Sequence, residues 1–494
     1  MTTASNLETM GHRSTHSEVV AMSATELSVA IHRRSVSCRE VMQAYLEQIH
    51  RLNPQVNAIV SLQHADELLE QAEVRDSQLQ RGESMGWMHG FPQAPKDLAA
   101  TAGIATTMGS RALAHHVPTH DAIVVERARR AGAILMGKTN TPEFGLGSHT
   151  YNQVFGVTRN AWDTSKSAGG SSGGAAVALA LRMLPVADGS DMMGSLRNPA
   201  GWNNIYGLRP STGRVPFGPT ADVFYQQLGG EGPMGRCVED VAMLLSVQAG
   251  YDRRTPMALA DDPSIFAAPL AGDFKGTRIG WLGDYGGYLP TQAGVVPLCK
   301  NALRYFSDIG CQVDEARPDF DMAQLWSIWL TLRSFLVAGV LQPLYADAGQ
   351  RALLKPEAIW EIEQGHRVTG HDVYLASCGR SAWYQAVCKL FESYDFLVLP
   401  SAQVFPFDAN IDWPKVISGH SMDTYHRWME VVIGGTLAGL PVISIPAGFN
   451  DQGLPMGLQL MGRPRADRDV LQLAYAWQQA TPFAQKRPAL LEYQ

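Results

Sequence analysis

The chain has 494 residues, of which 45% are hydrophobic and 18% are charged, and its formal net charge is −7 at pH 7. This composition is typical of a soluble globular protein, and the length suffices for one large domain or several smaller ones. Lysine and arginine are nowhere concentrated in a block, whereas proteins that bind nucleic acids usually carry a basic patch. The composition therefore argues against a nucleic-acid partner.

No segment of the sequence has the pattern of a targeting or membrane-spanning element. The first residues, MTTASNLETMGHRSTHSEVVAMS, contain no apolar core. The longest uncharged apolar run covers the seven residues 335–341, where a membrane span needs about twenty. The six cysteines show no CxxC spacing, a pattern that favours reduced thiols over disulfides or a zinc site. We therefore expect a cytoplasmic protein without a membrane anchor.

The sequence begins with a polar, aperiodic stretch over residues 1–20, which predicts a loose tail. Two copies of a helix-start signal follow, at Ser23–Glu26 and Ser37–Glu40, in which a serine precedes a glutamate by three residues. Apolar residues at helical spacing follow the second copy, and Asn53–Pro54 is expected to stop that helix. Residues 21–494 contain no repeat or long low-complexity linker, which favours a single domain.

Further along the chain, β-type and helical segments alternate. The strand-like AILMGKT at 133–139 follows a helical segment at 122–132, and the strand-like FLVLP at 396–400 follows a helical segment at 386–394. Alternation of this kind predicts an α/β protein in which helices cover a sheet of mainly parallel strands. Residues 284–395, rich in tryptophan and leucine, are predicted to form a helical portion laid over one side.

Two glycine-flanked serine sites lie close together, AGGSSGG at 168–174 and DMMGSLR at 191–197. Ser171 fits G-x-S-x-G, the nucleophile elbow of α/β-hydrolases, but that elbow needs a buried strand before it and the preceding AWDTSKSA is polar. A flexible linker is also disfavoured, because the apolar run 175–181 follows directly and predicts a helix. We therefore expect a rigid, backbone-rich loop before a helix N-terminus.

A lysine upstream of these serines has an unusual sequence context. Lys96 lies in GFPQAPKDL, between prolines, small residues and an apolar continuation. Poor solvation there would disfavour its charged form and lower its pKa, which would make it a usable base at neutral pH. On composition alone, a lone lysine is more often a surface residue.

Seven motifs together resemble the amidase signature family. They occur in the order GFPQAPKDL, GKTNTPEFG, GGSSGG, GSDMMGSLRNPAG, IYGLRPSTGRVP, GPMGRCVEDVAML and AGLPVISIPAGFNDQGLPMGLQLMGRP. The resemblance runs from about residue 23 to about residue 480, and the combination is far more specific than any single motif. It implies an α/β fold with a large mixed sheet covered by helices on both faces, and hydrolysis of amide-type C–N bonds.

The resemblance also implies which residues perform the chemistry. By it, Ser195 is the nucleophile, Ser171 is a bridging serine that follows a cis peptide bond, and Lys96 is the base. A neutral Lys96 would take the Ser171 proton while Ser171 takes that of Ser195, so that the nucleophile is activated without a histidine. This proton relay needs neither a metal ion nor an organic cofactor, and we expect none.

The backbone around the nucleophile is expected to bind the developing oxyanion. The resemblance assigns this role to the N–H groups of Met192, Met193, Gly194 and Ser195. The family usually has glycine where this chain has Met193, and a glycine at such a point suggests a tight turn or a positive φ. A methionine there would adopt that backbone at a cost or reshape the oxyanion hole.

Further residues are assigned with alternatives left open. Ser172 and Arg197 match family positions that hydrogen-bond around the catalytic residues, although Arg197 could equally tie down a loop, and Asp191 is expected to be structural. Trp326 and Trp329 lie one helical turn apart, in the helical portion that the resemblance places over the substrate channel. They are candidates for a pocket wall, but an aromatic pair at helical spacing is at least as often core packing.

Together with the methionines beside the oxyanion site, the two tryptophans favour hydrophobic substrates. These are anilides, arylalkyl amides or aryl carbamates of the urethane type, with aryl esters as a further option. One alternative is the amidase subunit of a tRNA-dependent amidotransferase, which releases ammonia from glutamine for partner subunits. Another is a scaffold that has kept the fold and lost the reaction. The expected partner is a small-molecule amide or carbamate, and a monomer and a homodimer are both open.

Overall fold

An eight-stranded mixed sheet runs through the computed structural model, which describes residues 16–225 and 227–492. In chain order the strands are β1 (Ile59–Val60), β2 (Pro92–Gln93), β3 (Ile134–Leu135), β4 (Lys138–Thr139), β5 (Tyr151–Asn152), β6 (Gly156–Val157), β7 (Ala187–Asp191), β8 (Tyr206–Arg209), β9 (Gly230–Gly235), β10 (Arg278–Trp281), β11 (Gln312–Glu315), β12 (Phe396–Pro400), β13 (Val416–Ile417), β14 (His420–Ser421), β15 (Val442–Phe449) and β16 (Pro455–Gly462). The helices are α1 (His16–Ala21), α2 (Ala24–His32), α3 (Cys38–Val56), α4 (Ala65–Gln80), α5 (Ile123–Arg130), α6 (Gly173–Ala180), α7 (Arg197–Asn203), α8 (Val238–Gln248), α9 (Val295–Ala302), α10 (Arg304–Asp308), α11 (Met322–Ala346), α12 (Ala348–Arg351), α13 (Pro356–Gly365), α14 (Gly370–Leu390), α15 (Ile433–Leu437) and α16 (Asp467–Ala480).

The strands of the large sheet are ordered β11-β10-β12-β16-β15-β8-β9-β7. Strand β10 pairs in parallel with β11 and with β12, and the five remaining neighbouring pairs are antiparallel. The predicted large mixed sheet with helices around it is confirmed, but the expectation of mainly parallel strands is wrong. The connections explain the difference. Helices α9 to α14 carry the chain between the parallel strands, whereas the short loop 450–454 joins β15 to β16 and requires an antiparallel pair.

Both predicted helix-start signals are confirmed. The Ser23 and Ser37 side chains each accept from the backbone N–H of the glutamate three residues on, and each glutamate bonds back to its serine. Helix α3 nevertheless continues past Pro54 by two residues, so the predicted stop at Asn53–Pro54 is too early. Asn53 shapes the exit, because its side-chain oxygen accepts from two backbone N–H groups beyond the helix end.

The prediction of a loose N-terminal tail is corrected in part. Helix α1 lies within the predicted tail, and its Val19 and Val20 are buried. Packing of α1 against α3 removes these two apolar side chains from water. The tail prediction is therefore wrong for residues 16–20, and residues 1–15 lie outside the described part of the chain.

The other predicted elements agree with the structure to different degrees. The segment 396–400 is strand β12, buried between β10 and β16. The segment 133–139 contains only the short strands β3 and β4, because its two halves pair with different partners, β2 and β1. Helix α5 lies inside the predicted 122–132, and α14 ends at Leu390, part-way through the predicted 386–394.

Residues 284–395 contain helices α9 to α14 and strand β11. The longest helix, α11, has 25 residues and packs against α13 and α14. Its length and apolar composition would suffice for a membrane span, and 61% of its most apolar window is buried inside the protein, as in the core helices of globular proteins. The single-domain organisation of residues 21–494 stays a prediction.

The loop that follows β7 lies where two hydrophobic cores adjoin. One large cluster of buried apolar residues surrounds the sheet and α11, and a second fills the space among α1 to α6. Met193 belongs to the first cluster and Leu196 to the second. A loop packed on both sides has a restrained backbone, which suits a site that must hold several groups at fixed positions.

Candidate active site

Lys96 follows β2 by three residues and directs its ammonium at the first serine loop. It is 1% exposed, and its Nζ donates to Ser171 Oγ at 2.7 Å, to Ser172 Oγ at 2.8 Å and to Ser190 Oγ at 3.1 Å. Its backbone N–H donates to Asp188 at 3.0 Å, which fixes the segment against β7. The alternative of a surface lysine is therefore wrong.

Burial makes the Lys96 ammonium easier to deprotonate near neutral pH. Removal of the ammonium from water lowers the pKa of Lys96 to about 7, although Asp191, Asp188 and Glu231 oppose the shift. A substantial fraction of Lys96 is thus neutral near pH 7 and can accept a proton. The direction of the shift agrees with the prediction from the sequence context.

Ser171 and Ser172 lie at the N-terminus of α6 and are almost completely buried. The Gly170–Ser171 peptide bond is cis, as the family resemblance implies. Close packing requires small residues in the first turn of α6, since a side chain at Gly174 would lie 2.3 Å from the backbone nitrogen of Asn140. The ten residues before Ser171 form only isolated bridges and no strand, which argues against the nucleophile elbow.

Ser195 lies in the loop that joins β7 to α7 and is 5% exposed. Its backbone carbonyl accepts from the Ser172 N–H at 3.2 Å, which ties the two serine loops together. Among the described residues, no hydrogen bond joins the Ser195 and Ser171 hydroxyls. Catalytic hydrogen bonds of this kind often tighten only when substrate binds.

Asp191 holds the loop around Ser195. Its carboxylate accepts from the Gly194 N–H at 2.9 Å and the Leu196 N–H at 3.1 Å, and Arg197 donates to both of its oxygens at 2.9 Å. Burial opposes ionisation of Asp191, but the Arg197 guanidinium holds the pKa of this carboxyl well below its usual range. Asp191 therefore occupies the structural position that the sequence predicts for it.

The predicted oxyanion donors fall into two groups. The Gly194 N–H points to Asp191, so the expectation that Gly194 supplies a free donor is wrong. Within residues 16–225 and 227–492, the N–H groups of Met192, Met193 and Ser195 have no acceptor. Three of the four predicted donors are thus not engaged by other groups of the described chain.

Met193 does not need the backbone conformation that favours glycine. The loop has a φ of +76° at Gly194, and the φ of Met193 is not positive. Glycine is required at Gly194 also because a side chain there would lie 2.8 Å from Val432. Met193 is buried in the core cluster around the sheet, so the expected backbone cost of a methionine is not observed.

Two buried arginines brace the base of the loop. Arg197 donates to the Val432 carbonyl at 2.8 Å and to Gln459 at 2.6 Å, in addition to its pairing with Asp191. Arg209 donates to the backbone carbonyl of Asp191. Of the two interpretations left open for Arg197, these contacts favour anchoring of the loop.

Sequence analysis does not single out Asp188, Ser190 and Glu231, three polar residues beside Lys96. Asp188 and Ser190 lie two residues apart on β7 and therefore share a face. Glu231 on β9 is paired with Ser190. The alternating polar residues of ADGSD are the signal that could have identified this face.

An arginine of the helical portion contacts the loop, one turn after the predicted tryptophans. Trp329 is completely buried and Trp326 is 4% exposed, both within the core cluster. The structure places them in core packing and not on an open pocket wall, which corrects the expectation. One turn after Trp329, Arg333 donates to Met192 Sδ at 3.4 Å and pairs with Glu361 at 2.5 Å. Sequence analysis missed Arg333, because an arginine in an apolar helix gives no sign of which loop it contacts.

Comparison with known proteins identifies the family. The profile of the family described as Amidase matches residues 40–471. The chain belongs to the amidase signature family. An acylamidase from Rhodococcus erythropolis is 33% identical over 477 residues, which span 95% of this chain and 97% of that protein. The solved structure of a bacterial aryl acylamidase of the amidase signature family matches with a TM-score of 0.88 at 30% identity, over 95% of this chain and 98% of that one.

A family member with a different role is similar to the same extent. A glutamyl-tRNA(Gln) amidotransferase subunit from Acaryochloris marina is 34% identical over 477 residues, which span 92% of this chain and 97% of that protein. Family membership makes the chain an amidase-type hydrolase. Identity alone does not separate a free-standing amidase from one component of a larger enzyme.

Proposed function

We propose that this amidase hydrolyses its substrate through a covalent acyl-enzyme on Ser195, with Ser171 and Lys96 as the proton relay. The observation that carries the proposal is the 2.7 Å hydrogen bond from Lys96 Nζ to Ser171 Oγ, at a lysine whose pKa is lowered to about 7. A buried, neutral lysine can remove a proton from a serine hydroxyl, whereas a solvated ammonium cannot.

Acylation begins with two coupled proton transfers. The Ser195 proton moves to Ser171 as the Ser171 proton moves to Lys96, and the Ser195 oxygen forms a bond to the substrate carbonyl carbon. The carbonyl π electrons move to the oxygen and give a tetrahedral oxyanion. Its collapse breaks the C–N bond, while the leaving nitrogen takes a proton from Ser171, which Lys96 reprotonates. Water then attacks the acyl-enzyme ester through the same relay and releases the acid.

The free N–H groups of Met192, Met193 and Ser195 bind the oxyanion in this scheme. Asp191 keeps them in place, because it fixes the turn through the Gly194 N–H. Donors that are held in position before the reaction need no reorganisation, and one such donor lowers the barrier by about 3–4 kcal/mol.

Aryl amides are the proposed substrates. The relatives named acylamidase and aryl acylamidase support this class. So does Met192, which is partly buried beside the loop of Ser195, because methionine side chains adapt to aromatic groups. The contact from Arg333 to Met192 adds one polar group next to this apolar surface. Aryl carbamates and aryl esters present the same planar carbonyl and belong to the proposed range.

A substrate screen tests both parts of the proposal. Rates are measured on acetanilide, an aryl carbamate, p-nitrophenyl acetate, acetamide and glutamine, with the wild type and with Ser195→Ala. We expect kcat/KM on the anilide to exceed that on acetamide by about thirtyfold, from about 2 kcal/mol of apolar binding. Equal rates on acetanilide and acetamide would contradict the proposed substrate class, and an active Ser195→Ala would contradict the proposed mechanism.

A second candidate function is the glutamine-hydrolysing component of a tRNA-dependent amidotransferase. The 34% identity to a protein of that kind over 92% of this chain favours it. It ranks second because the apolar side chain of Met192, which is partly buried beside the loop, suits the small, polar glutamine poorly. Release of ammonia from glutamine at a higher kcat/KM than anilide hydrolysis, or co-purification with a tRNA-binding partner, would reverse the order.

We also propose that the enzyme acts on small molecules in the cytoplasm without a cofactor or a nucleic-acid partner. In the part of the chain that the structure describes, no group of three His, Cys, Asp or Glu side chains could hold a metal ion, and all six cysteines are unpaired. Activity is therefore expected to survive dialysis against EDTA. Loss of turnover after dialysis, restored by an added divalent metal, would contradict this part of the proposal.

A further inference from the structure

Glu231 is a buried carboxyl group that the proposed mechanism does not use. It lies on β9 opposite Ser190 of β7, and residues directly opposite each other in an antiparallel pair project from the same face of the sheet. Ser190 Oγ accepts a hydrogen bond from Lys96 Nζ at 3.1 Å. The Glu231 side chain and the Lys96 ammonium therefore lie on the same side of the sheet.

The surroundings of Glu231 contain charges of both signs. Asp188 from β7, Lys96 from the segment after β2 and Lys138 from β4 act on it electrostatically, and Arg209 from β8 lines the same cleft. Glu231 is 6% exposed, and its Oε2 has no hydrogen-bond partner among the described residues. A buried carboxylate without such partners is unfavourable, so burial and Asp188 raise the pKa of Glu231 to about 8, against the effect of the two lysines.

Glu231 borders a surface cleft. The cleft is lined by Glu231, Arg209 and neighbouring residues that include Thr212, Val215 and Met257. Lys96, Ser171 and Ser195 do not line it. Glu231 is therefore reached by solvent from a cleft that the three proposed catalytic residues do not border.

We propose that Glu231 is a positioning residue that sets the proton affinity of Lys96 from behind the serine loops. The inference rests on the proposed function, since it requires Lys96 to be the base. A neutral Glu231 leaves Lys96 free to lose its proton near neutral pH. An ionised Glu231 stabilises the ammonium and moves that proton loss to higher pH. Two coupled ionisations spread the rise of activity over a wider pH range than one isolated lysine does.

The test is the pH dependence of kcat/KM for an anilide, measured for the wild type, Glu231→Gln and Glu231→Asp. Glu231→Gln keeps the shape but cannot ionise. Its activity is therefore expected to rise as a single ionisation with a midpoint about half a pH unit lower, roughly a threefold change in the proton affinity of Lys96. Glu231→Asp is expected to keep the broad rise. The control is Asp240→Asn, which removes another buried carboxylate that caps α2 and is expected to leave the midpoint unchanged.

Two results would overturn the role of Glu231. One is an unchanged midpoint in Glu231→Gln, and the other is an equal loss of activity at every pH in Glu231→Gln and Glu231→Asp, as a purely structural residue would give. If Glu231→Gln does not fold, a single-ionisation rise in both the wild type and Glu231→Asp overturns the inference. Lys96→Met, measured alongside, tests the proposed function separately. Full activity of Lys96→Met would contradict the proposed function itself, whereas an inactive Lys96→Met leaves only the role of Glu231 in question.

Discussion

The loop around Ser195 and the helical portion over residues 284–395 shape the site in different ways. The turn within the loop is fixed by local contacts, because the Asp191 carboxylate accepts hydrogen bonds from groups no more than six residues away. Its base is anchored by distant contacts, which Arg197 and Arg209 make. The helical portion reaches the loop across 141 residues, through the contact of Arg333 with Met192. The geometry of the turn at Ser195 therefore depends on a short segment, whereas its place beside Lys96 and Ser171, and the surface around it, depend on how distant elements pack.

Both regions bury an ion pair between an arginine and a carboxylate, but one pair restrains a backbone turn and the other restrains the packing of two helices. Asp191 and Arg197 are completely buried and hold the backbone turn that contains Ser195, the proposed nucleophile. Arg333 and Glu361 are almost as buried and join α11 to α13. Loss of one partner leaves an uncompensated buried charge in either region. Disruption of the first pair should therefore affect every substrate, and disruption of the second should affect substrates unequally.

The largest effect is expected at the nucleophile. Ser195→Ala should lower kcat by at least about 10⁴-fold, because the acyl-enzyme cannot form. The thermal unfolding midpoint should stay close to that of the wild type, since one hydroxyl and no core volume is removed. Ser393→Ala, at an exposed serine, is the control and should be fully active. A nearly wild-type Ser195→Ala together with an inactive Ser171→Ala would restore the nucleophile-elbow interpretation.

The next effect concerns the base. Lys96→Met should lower kcat about 10³-fold or more at every pH below about 10, because no other group in the relay can accept the proton. In the wild type the pKa of Lys96 is lowered to about 7, so activity should be present above that pH and be lost as the pH falls through it. The measurement is a pH profile of kcat/KM. A profile that one histidine substitution abolishes would contradict the serine-lysine mechanism.

A smaller effect is expected from the residue that anchors the loop. Asp191→Asn should lower kcat about 10²-fold on all amides and lower the free energy of unfolding by about 3–5 kcal/mol, because Arg197 loses its charged partner. Glu361→Gln should cost similar stability but change the ratio of rates on anilide and acetamide. Kinetics on both amides give the ratio of rates, and chemical denaturation gives the free energy of unfolding. An equal change of that ratio in the two variants would show that the loop and the helical portion do not differ in their effect on substrate selectivity.

The smallest effect on selectivity is expected at Trp329. Because this residue is completely buried in the core, Trp329→Ala should lower the free energy of unfolding by about 3–5 kcal/mol. The anilide to acetamide ratio of kcat/KM should change by less than about threefold, which is under about 1 kcal/mol. If Trp329→Ala instead lowered the anilide to acetamide ratio to near one without a change in stability, Trp329 would be part of the pocket wall.

The candidate site residues that can be named from the sequence are those whose determinants are local. The glycine and serine motifs, and the lysine between prolines, can be recognised without a structure, because each occupies a short segment. The engagement of the Gly194 N–H by Asp191 could not be predicted, because it depends on the turn that the loop adopts. Arg333 and Glu231 were missed for a related reason. Their neighbours come from helix packing and strand register, and neither is encoded in the adjacent residues.

Prediction of the fold from the sequence was likewise limited to features with local determinants. Helix starts were predictable because a capping box is a local hydrogen-bond pattern. The direction of the strands was not, since it depends on which strands become neighbours in the sheet. The burial of α1 against α3 was not predictable either, because two valines in a polar stretch give no sign of the partner that covers them.

Peptide mass spectrometry, after reaction of the folded protein with a fluorophosphonate probe, identifies the nucleophilic serine. We predict a single label, on Ser195, and no label in Ser195→Ala. The rate of labelling should rise as the pH increases through about 7, the pKa of Lys96, and should fall at least about 10²-fold in Lys96→Met. A label on Ser171 would contradict Ser195 as the nucleophile, and a labelling rate that is the same with and without Lys96 would contradict Lys96 as the base.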